Sequence, residues 1–184
     1  MRGCIKGYTK GTEKRLTERL KDFIRLNESN RAVFVTLTTL ELDPEKAKRL
    51  FQLWTKRIAR RCDVSGVYVL EFNNGGQIHF HVLLALHGAT AYEPTDAVAD
   101  LLWNAWKDLG DHDRQAFRVE RADLRNPKWV LSYIPKADIE PGIPHPDRIQ
   151  KRSPLAFKDR GMRATYWGVI GRSRLLEKPL EAAA

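Results

Sequence analysis

The sequence predicts an α+β domain, an antiparallel sheet of about five strands with helices packed on it. Three observations carry the prediction. Period-two and period-3.6 hydrophobic patterns alternate in the order helix, strand, helix, paired strands, helix, strand, helix, loop, strand. The paired strands are separated by Asn73-Asn74-Gly75-Gly76-Gln77, rich in residues that tolerate positive φ, which marks a hairpin. No Gly-x-Gly-x-x-Gly or Walker-type phosphate loop accompanies these elements.

Each element has a local cause. Thr12 to Leu26 sets Leu16, Leu20, Phe23 and Ile24 at helical spacing among charges, an amphipathic helix within an N-terminal extension of about 1–30. Ala32 to Thr39 alternates Val33, Val35 and Leu37 with Phe34, Thr36 and Thr38, a strand buried on at least one face. Asp43-Pro44-Glu45 combines a cap, a first-turn proline and a first-turn carboxylate, and opens a helix to about Cys62. Its apolar stripe is Ala47, Leu50, Phe51, Trp54 and Ile58. Gly66 to Phe72 and Ile78 to Leu86 are the hairpin strands. Thr95 to Leu109 is a helix with Val98, Leu101, Leu102, Ala105 and Leu109 inward and Gly110 as its stop. Ala116 to Arg121 reads as a strand, and Asn126-Pro127 as the start of a short helix to about Ala137. An irregular, proline-rich segment spans about 139–163, Thr165 to Ile170 returns to strand character, and residues 176–184 form a frayed tail.

The 184 residues suit a single domain spanning 1–184, large enough to bury a core without disulfides. Cys4 and Cys62 match no metal or redox spacing and read as structural or incidental thiols of a reducing cytosol. No run of about 18 apolar residues crosses a membrane and no signal-peptide core opens the chain, so the expected location is the cytoplasm. Lysine and arginine number 32 against 23 acidic residues, a formal charge of +9, which points to a polyanion partner and first of all to nucleic acid.

The chemistry is concentrated in three places. His79-Phe80-His81 lies on the second hairpin strand, and strand alternation sends both imidazoles to one face, where they can hold one metal ion. Glu71 lies eight residues earlier on the partner strand. An odd-numbered loop centred near Gly75 brings its carboxylate to the same face, opposite or diagonal to His79. In Trp129-Val130-Leu131-Ser132-Tyr133-Ile134-Pro135-Lys136, Tyr133 and Lys136 are spaced to share one side of a helix, a phenol nucleophile with a cation beside it.

In this order the motifs resemble those of the HUH endonucleases, named for a His-hydrophobic-His motif, and within them the small rolling-circle replication initiators of phages and plasmids. Phe34-Val35-Thr36-Leu37-Thr38-Thr39 is similar to the first motif strand, His79-Phe80-His81 to the metal motif, and Tyr133-Ile134-Pro135-Lys136 to the Tyr-x-x-Lys helix. Ala164-Thr165-Tyr166-Trp167-Gly168-Val169 resembles a Phe-Trp-Gly strand found after that helix. The resemblance implies a ferredoxin/RRM-like nuclease domain with a divalent metal, Mn²⁺ or Mg²⁺, on His79, His81 and Glu71. It implies that Tyr133 attacks single-stranded origin DNA, an extruded hairpin being one form of it, with Lys136 orienting the phosphate or supporting the phenolate. The product is a 5′-phosphotyrosine and a free 3′-hydroxyl, with later strand rejoining, and a host helicase and polymerase as partners. Where some initiators carry a second tyrosine this chain has Trp129, so single-tyrosine chemistry is expected. Pro135 is expected to kink or end the catalytic helix. Arg57, Arg60, Arg61, Lys128, Lys151 and Arg152 are candidates for tracking the DNA backbone.

Two other readings use the same features. A non-catalytic single-strand-binding module would stack bases on aromatics such as Phe34 and Phe80. A single-tyrosine transposase or a relaxase would share the metal motif; relaxases place their tyrosine ahead of it, where this chain has Tyr8 without a lysine partner.

Overall fold

Nine helices and strands are built in the computed structural model, which describes residues 10–72, 77–110, 112, 114–134 and 167–171. In chain order they are α1 (Lys10–Asn27), β1 (Arg31–Thr39), α2 (Pro44–Ala59), β2 (Asp63–Phe72), β3 (Ile78–His87), α3 (Thr95–Trp106), β4 (Phe117–Ala122), α4 (Lys128–Tyr133) and β5 (Trp167–Ile170). Short 3₁₀ turns, Gly88–Tyr92 and Arg114–Ala116, precede α3 and β4.

The five strands form one sheet in the order β4-β1-β3-β2-β5, every pair antiparallel. Because β1 and β2 are both antiparallel to β3, they run parallel to each other across it, and α2 makes the crossover. In the same way α3 crosses from β3 to β4 over β1. Two interleaved β-α-β units of this kind are the ferredoxin-like arrangement that the resemblance implied, and β5 extends the sheet beyond β2.

Both faces of the sheet are covered. On one face Phe51 of α2 stacks on Phe80 at 4.3 Å and leans on Tyr68 at 4.5 Å. The Trp54 indole donates to the Leu102 carbonyl at 3.1 Å, joining α2 to α3, and Trp103 of α3 packs on Phe117 of β4. The other face carries Phe34, Val67, Val69, Leu83 and Ala85, all buried. There α4 rests on β1 through Trp129 and Phe34, while α1, with Leu16, Leu20 and Phe23 fully buried, meets β2 and α4. Burial on both faces explains why β1 reads as nearly continuous hydrophobicity.

Local signals act as their chemistry dictates, with two exceptions. Asp43 caps α2, its carboxylate accepting from the backbone N–H of Glu45 at 2.9 Å and of Lys46 at 3.4 Å. Replacing it by alanine is expected to cost about 1 kcal/mol and lower the melting midpoint by roughly 2–4 °C, checked by thermal denaturation. The first exception is α3, which ends at Trp106, well before Gly110; a turn closed by the Leu109 N–H on the Trp106 carbonyl ends it, and the Trp106 ring stacks on His112 at 4.1 Å. The second is the start of α4, where Pro127, not Asn126, occupies the cap position. The turn before it is organised by Asp123, whose carboxylate accepts from the Arg125 N–H at 3.0 Å. α4 is described from Lys128 to Tyr133, and residues 135–137 of its expected span lie outside the described residues.

Gly168 of β5 faces Tyr68 of β2, and a Cβ there would stand 2.7 Å from the Tyr68 ring, so glycine in the Trp-Gly strand lets the edge strand close over a tyrosine. Cys62 is buried, its thiol donating to the Ile58 carbonyl, and burial pushes its pKa up to about 11, the behaviour of an unreactive structural thiol. Cys4, Tyr8, the 139–163 segment and the 176–184 tail lie outside the described residues. No helix among the described residues is long and apolar enough to cross a membrane.

Candidate functional site

The hairpin ladder pairs Phe72 with Ile78 and Glu71 with His79. The connection is therefore the five residues 73–77, an odd number, and Glu71 and His79 leave the same face. The neighbouring ladder pairs Thr38 with His79 and Thr36 with His81. One patch at the hairpin end of the sheet thus holds Glu71 on β2, His79 and His81 on β3, and Thr36 and Thr38 on β1, while Phe80 points into the opposite core.

The imidazoles stand nearly parallel, 11° apart with centroids 6.3 Å from each other. Glu71 Oε1 is 3.5 Å from His81 Nε2. Each ring engages a threonine through its other nitrogen: Thr38 Oγ1 is 2.8 Å from His79 Nδ1, and Thr36 Oγ1 is 3.2 Å from His81 Nδ1. Phe34 stacks on His81 at 5.7 Å, and Trp129 meets Phe34 edge-on at 5.1 Å. His81 is almost wholly buried, whereas the Glu71 side chain is 16% exposed, so the patch opens to solvent on its carboxylate side.

Among the described residues no three His, Cys, Asp or Glu side chains are gathered closely enough, as placed, to hold an ion. The donor set nevertheless suits one. Two imidazoles hydrogen-bonded through Nδ1 present Nε2 as the ligand atom, the usual arrangement of a metal-binding histidine. The Glu71 carboxylate already lies beside one of those Nε2 atoms. Two nitrogen donors and one oxygen donor match a borderline divalent ion and leave coordination positions for a phosphate.

Tyr133 closes α4 one helical turn after Trp129, on the sheet face that bears the histidines; its side chain, and all of Lys136, lie outside the described residues. The basic candidates are scattered. Lys128 is exposed at the start of α4, on the site's side of the sheet. Arg57 reaches across the other layer to donate to the Ala105 carbonyl at 3.2 Å, tying α2 to α3. Arg60 and Arg61 line a depression of about 430 Å³ with Asp63 and Gly171, at the end of β2 remote from Glu71. Lys151 and Arg152 lie outside the described residues.

Sequence reasoning assigned no role to three residues that the sheet brings to this face. Thr36 and Thr38 were legible as strand residues, but their pairing with the histidines needs the β1–β3 register. Arg118 of β4 faces Thr36 across the next ladder, placing an exposed guanidinium in line with Thr36 and His81. Its signal was the odd spacing from Phe117, a core residue on the opposite face.

No curated protein and no solved structure matches the chain significantly. Residues 32–138, which run from β1 through the histidine pair to just beyond α4, match the family of replication-associated proteins of the ORF2 type. That match covers more than half of the chain, and the protein belongs to this family of replication-associated proteins.

Proposed function

We propose that this protein is a replication initiator of the HUH endonuclease type, nicking single-stranded DNA with Tyr133 as nucleophile and rejoining it afterwards. The observation that carries the reading is the register: the five-residue hairpin connection and the β1–β3 ladder put Glu71, His79 and His81 on one face, over which α4 runs and ends in Tyr133. Family membership supports the replication role.

In this mechanism Glu71, His79 and His81 hold a divalent ion, Mn²⁺ or Mg²⁺, which when bound supplies Lewis-acid polarisation of a non-bridging phosphate oxygen. Tyr133 loses its phenolic proton and its oxygen forms a bond to phosphorus, while the bond from phosphorus to the 3′ oxygen breaks and that oxygen takes up a proton. Lys136, three residues on, compensates the phenolate or the phosphate. The reverse attack by a 3′-hydroxyl on the phosphotyrosine rejoins the strand. No second tyrosine stands at Trp129, so one tyrosine serves both directions.

Phe34 and Phe80 are buried, at 6% and 0% exposure, which removes them as stacking platforms and argues against an open-sheet binding module. Trp129, by contrast, is 39% exposed beside the site, and Lys128 and Arg118 are exposed on the same side of the sheet. These three are the proposed path for the strand. Trp129→Ala is expected to weaken binding of an oligothymidylate about fivefold or more without changing its salt slope, and Arg118→Gln to lower that slope by about 0.7. Fluorescence anisotropy titrations across a salt series measure both.

The reaction itself is tested with a randomised pool of single strands and Mn²⁺ or Mg²⁺ on a denaturing gel. A 3′-end label must migrate with the protein, and a 5′-end label must appear in shortened strands that a polymerase extends. Retained binding with neither product, in either metal, would overturn the nuclease reading.

A further inference from the structure

The two threonines of β1 engage the two histidines through the same ring nitrogen, at 2.8 Å for Thr38 with His79 and 3.2 Å for Thr36 with His81. Their spacing of two residues repeats the spacing of the histidines, and the antiparallel ladder matches them one to one. A neutral imidazole carries one proton, and the nitrogen that holds it is decided by the partners on either side of the ring.

At His81 two acceptors compete for that proton. The Glu71 carboxylate, 3.5 Å from Nε2, draws it to the nitrogen that must be bare to bind a metal, whereas the Thr36 hydroxyl draws it to Nδ1. At His79 the closer Thr38 hydroxyl meets Nδ1, and Nε2 is shielded from solvent.

We infer that Thr36 and Thr38 are positioning residues that accept a hydrogen bond from Nδ1–H of His81 and His79, fixing both rings in the tautomer whose Nε2 lone pairs face the metal. The inference rests on the metal reading above for its purpose, but the tautomer is a property of the metal-free protein. The ladder also fixes ring orientation, because each imidazole is tethered to a residue of the interior strand β1, which is paired on both edges.

The experiment uses the full chain, ¹⁵N-labelled at histidine, with two-bond ¹H–¹⁵N correlations that separate protonated from bare ring nitrogens. Wild type without metal should show Nδ1 protonated in both rings. Thr38→Val removes the hydroxyl at constant shape and should leave His79 without that preference; Thr36→Val should move the His81 proton to Nε2, beside Glu71. Thr38→Ser and Thr36→Ser should restore the wild-type pattern. Isothermal titration with Mn²⁺ should show each valine variant binding about 10–100-fold more weakly, the usual effect of removing a histidine's outer partner, and the serine variants recovering most of the affinity. Unchanged tautomers in folded valine variants overturn the inference, as does Nε2–H in the metal-free wild type. Should the wild type bind no metal, the metal reading fails on that result alone, while the nitrogen spectra still decide the role of the threonines.

Discussion

Tyr133→Phe is expected to abolish the covalent protein–DNA adduct and to lower nicking by about 10⁴-fold or more, the scale on which removal of a covalent nucleophile acts, while binding of the single strand is unchanged. The burial of that helix is carried by Val130 and Ile134, which the substitution leaves in place. The chain has five tyrosines, and the fold sets two of them apart from the site. Tyr68 lies on the opposite face of the sheet against Phe51, and burial raises its pKa, which disfavours the phenolate. Tyr92 is 89% exposed in the turn after β3, beyond His87 at the far end of that strand from His79. Neither reaches a phosphate held at Glu71, His79 and His81. An adduct that survives in Tyr133→Phe would therefore point to Tyr8 or Tyr166. Peptide mapping of the adduct distinguishes all five.

The parts of this site that follow from local chemistry were legible in the sequence. His79 and His81 share a face because strand side chains alternate, and Glu71 joins them because the hairpin connection has odd length. The cap at Asp43 and the stripe Ala47, Phe51, Trp54 and Ile58 were equally readable. The parts that depend on pairing between distant segments were not. Thr36 meets His81 across a separation of 45 residues, and Arg118 reaches the row only through Thr36. The basic residues at and just beyond the end of α2 show a related limit. Helix periodicity predicts that Arg57, Arg60 and Arg61 lie off the apolar stripe, but not that the stripe packs on the face of the sheet remote from the histidines. Charge density on a helix reports exposure, and only the layer to which the helix belongs says whether it neighbours the chemistry.

The second large effect is expected at the residue between the histidines. Phe80 is fully buried, stacked on Phe51 at 4.3 Å with planes 9° apart, and flanked in the ladder by Leu37 and Leu70. Phe80→Ala is expected to cost about 3–5 kcal/mol, since the packed face of α2 cannot collapse into the space of a ring. For a domain of this size that lowers the melting midpoint by roughly 10 °C or more, measured by circular dichroism. Phe80→Leu, which refills most of the volume, should recover most of the loss. The consequence for function follows from register. A slip of β3 by one residue would turn Phe80 to the site face and carry both imidazoles into the core, so the aromatic core on one side of the strand holds the imidazoles in place on the other. While Phe80→Ala remains folded, β3 keeps β1 and β2 on its two edges, and Mn²⁺ affinity should stay near the wild-type value. The middle residue of the motif then acts on the stability of the sheet, and Thr36 and Thr38 act on the ligands. A parallel fall in affinity and stability in Phe80→Ala would show instead that the site is held by core packing more than by the ladder.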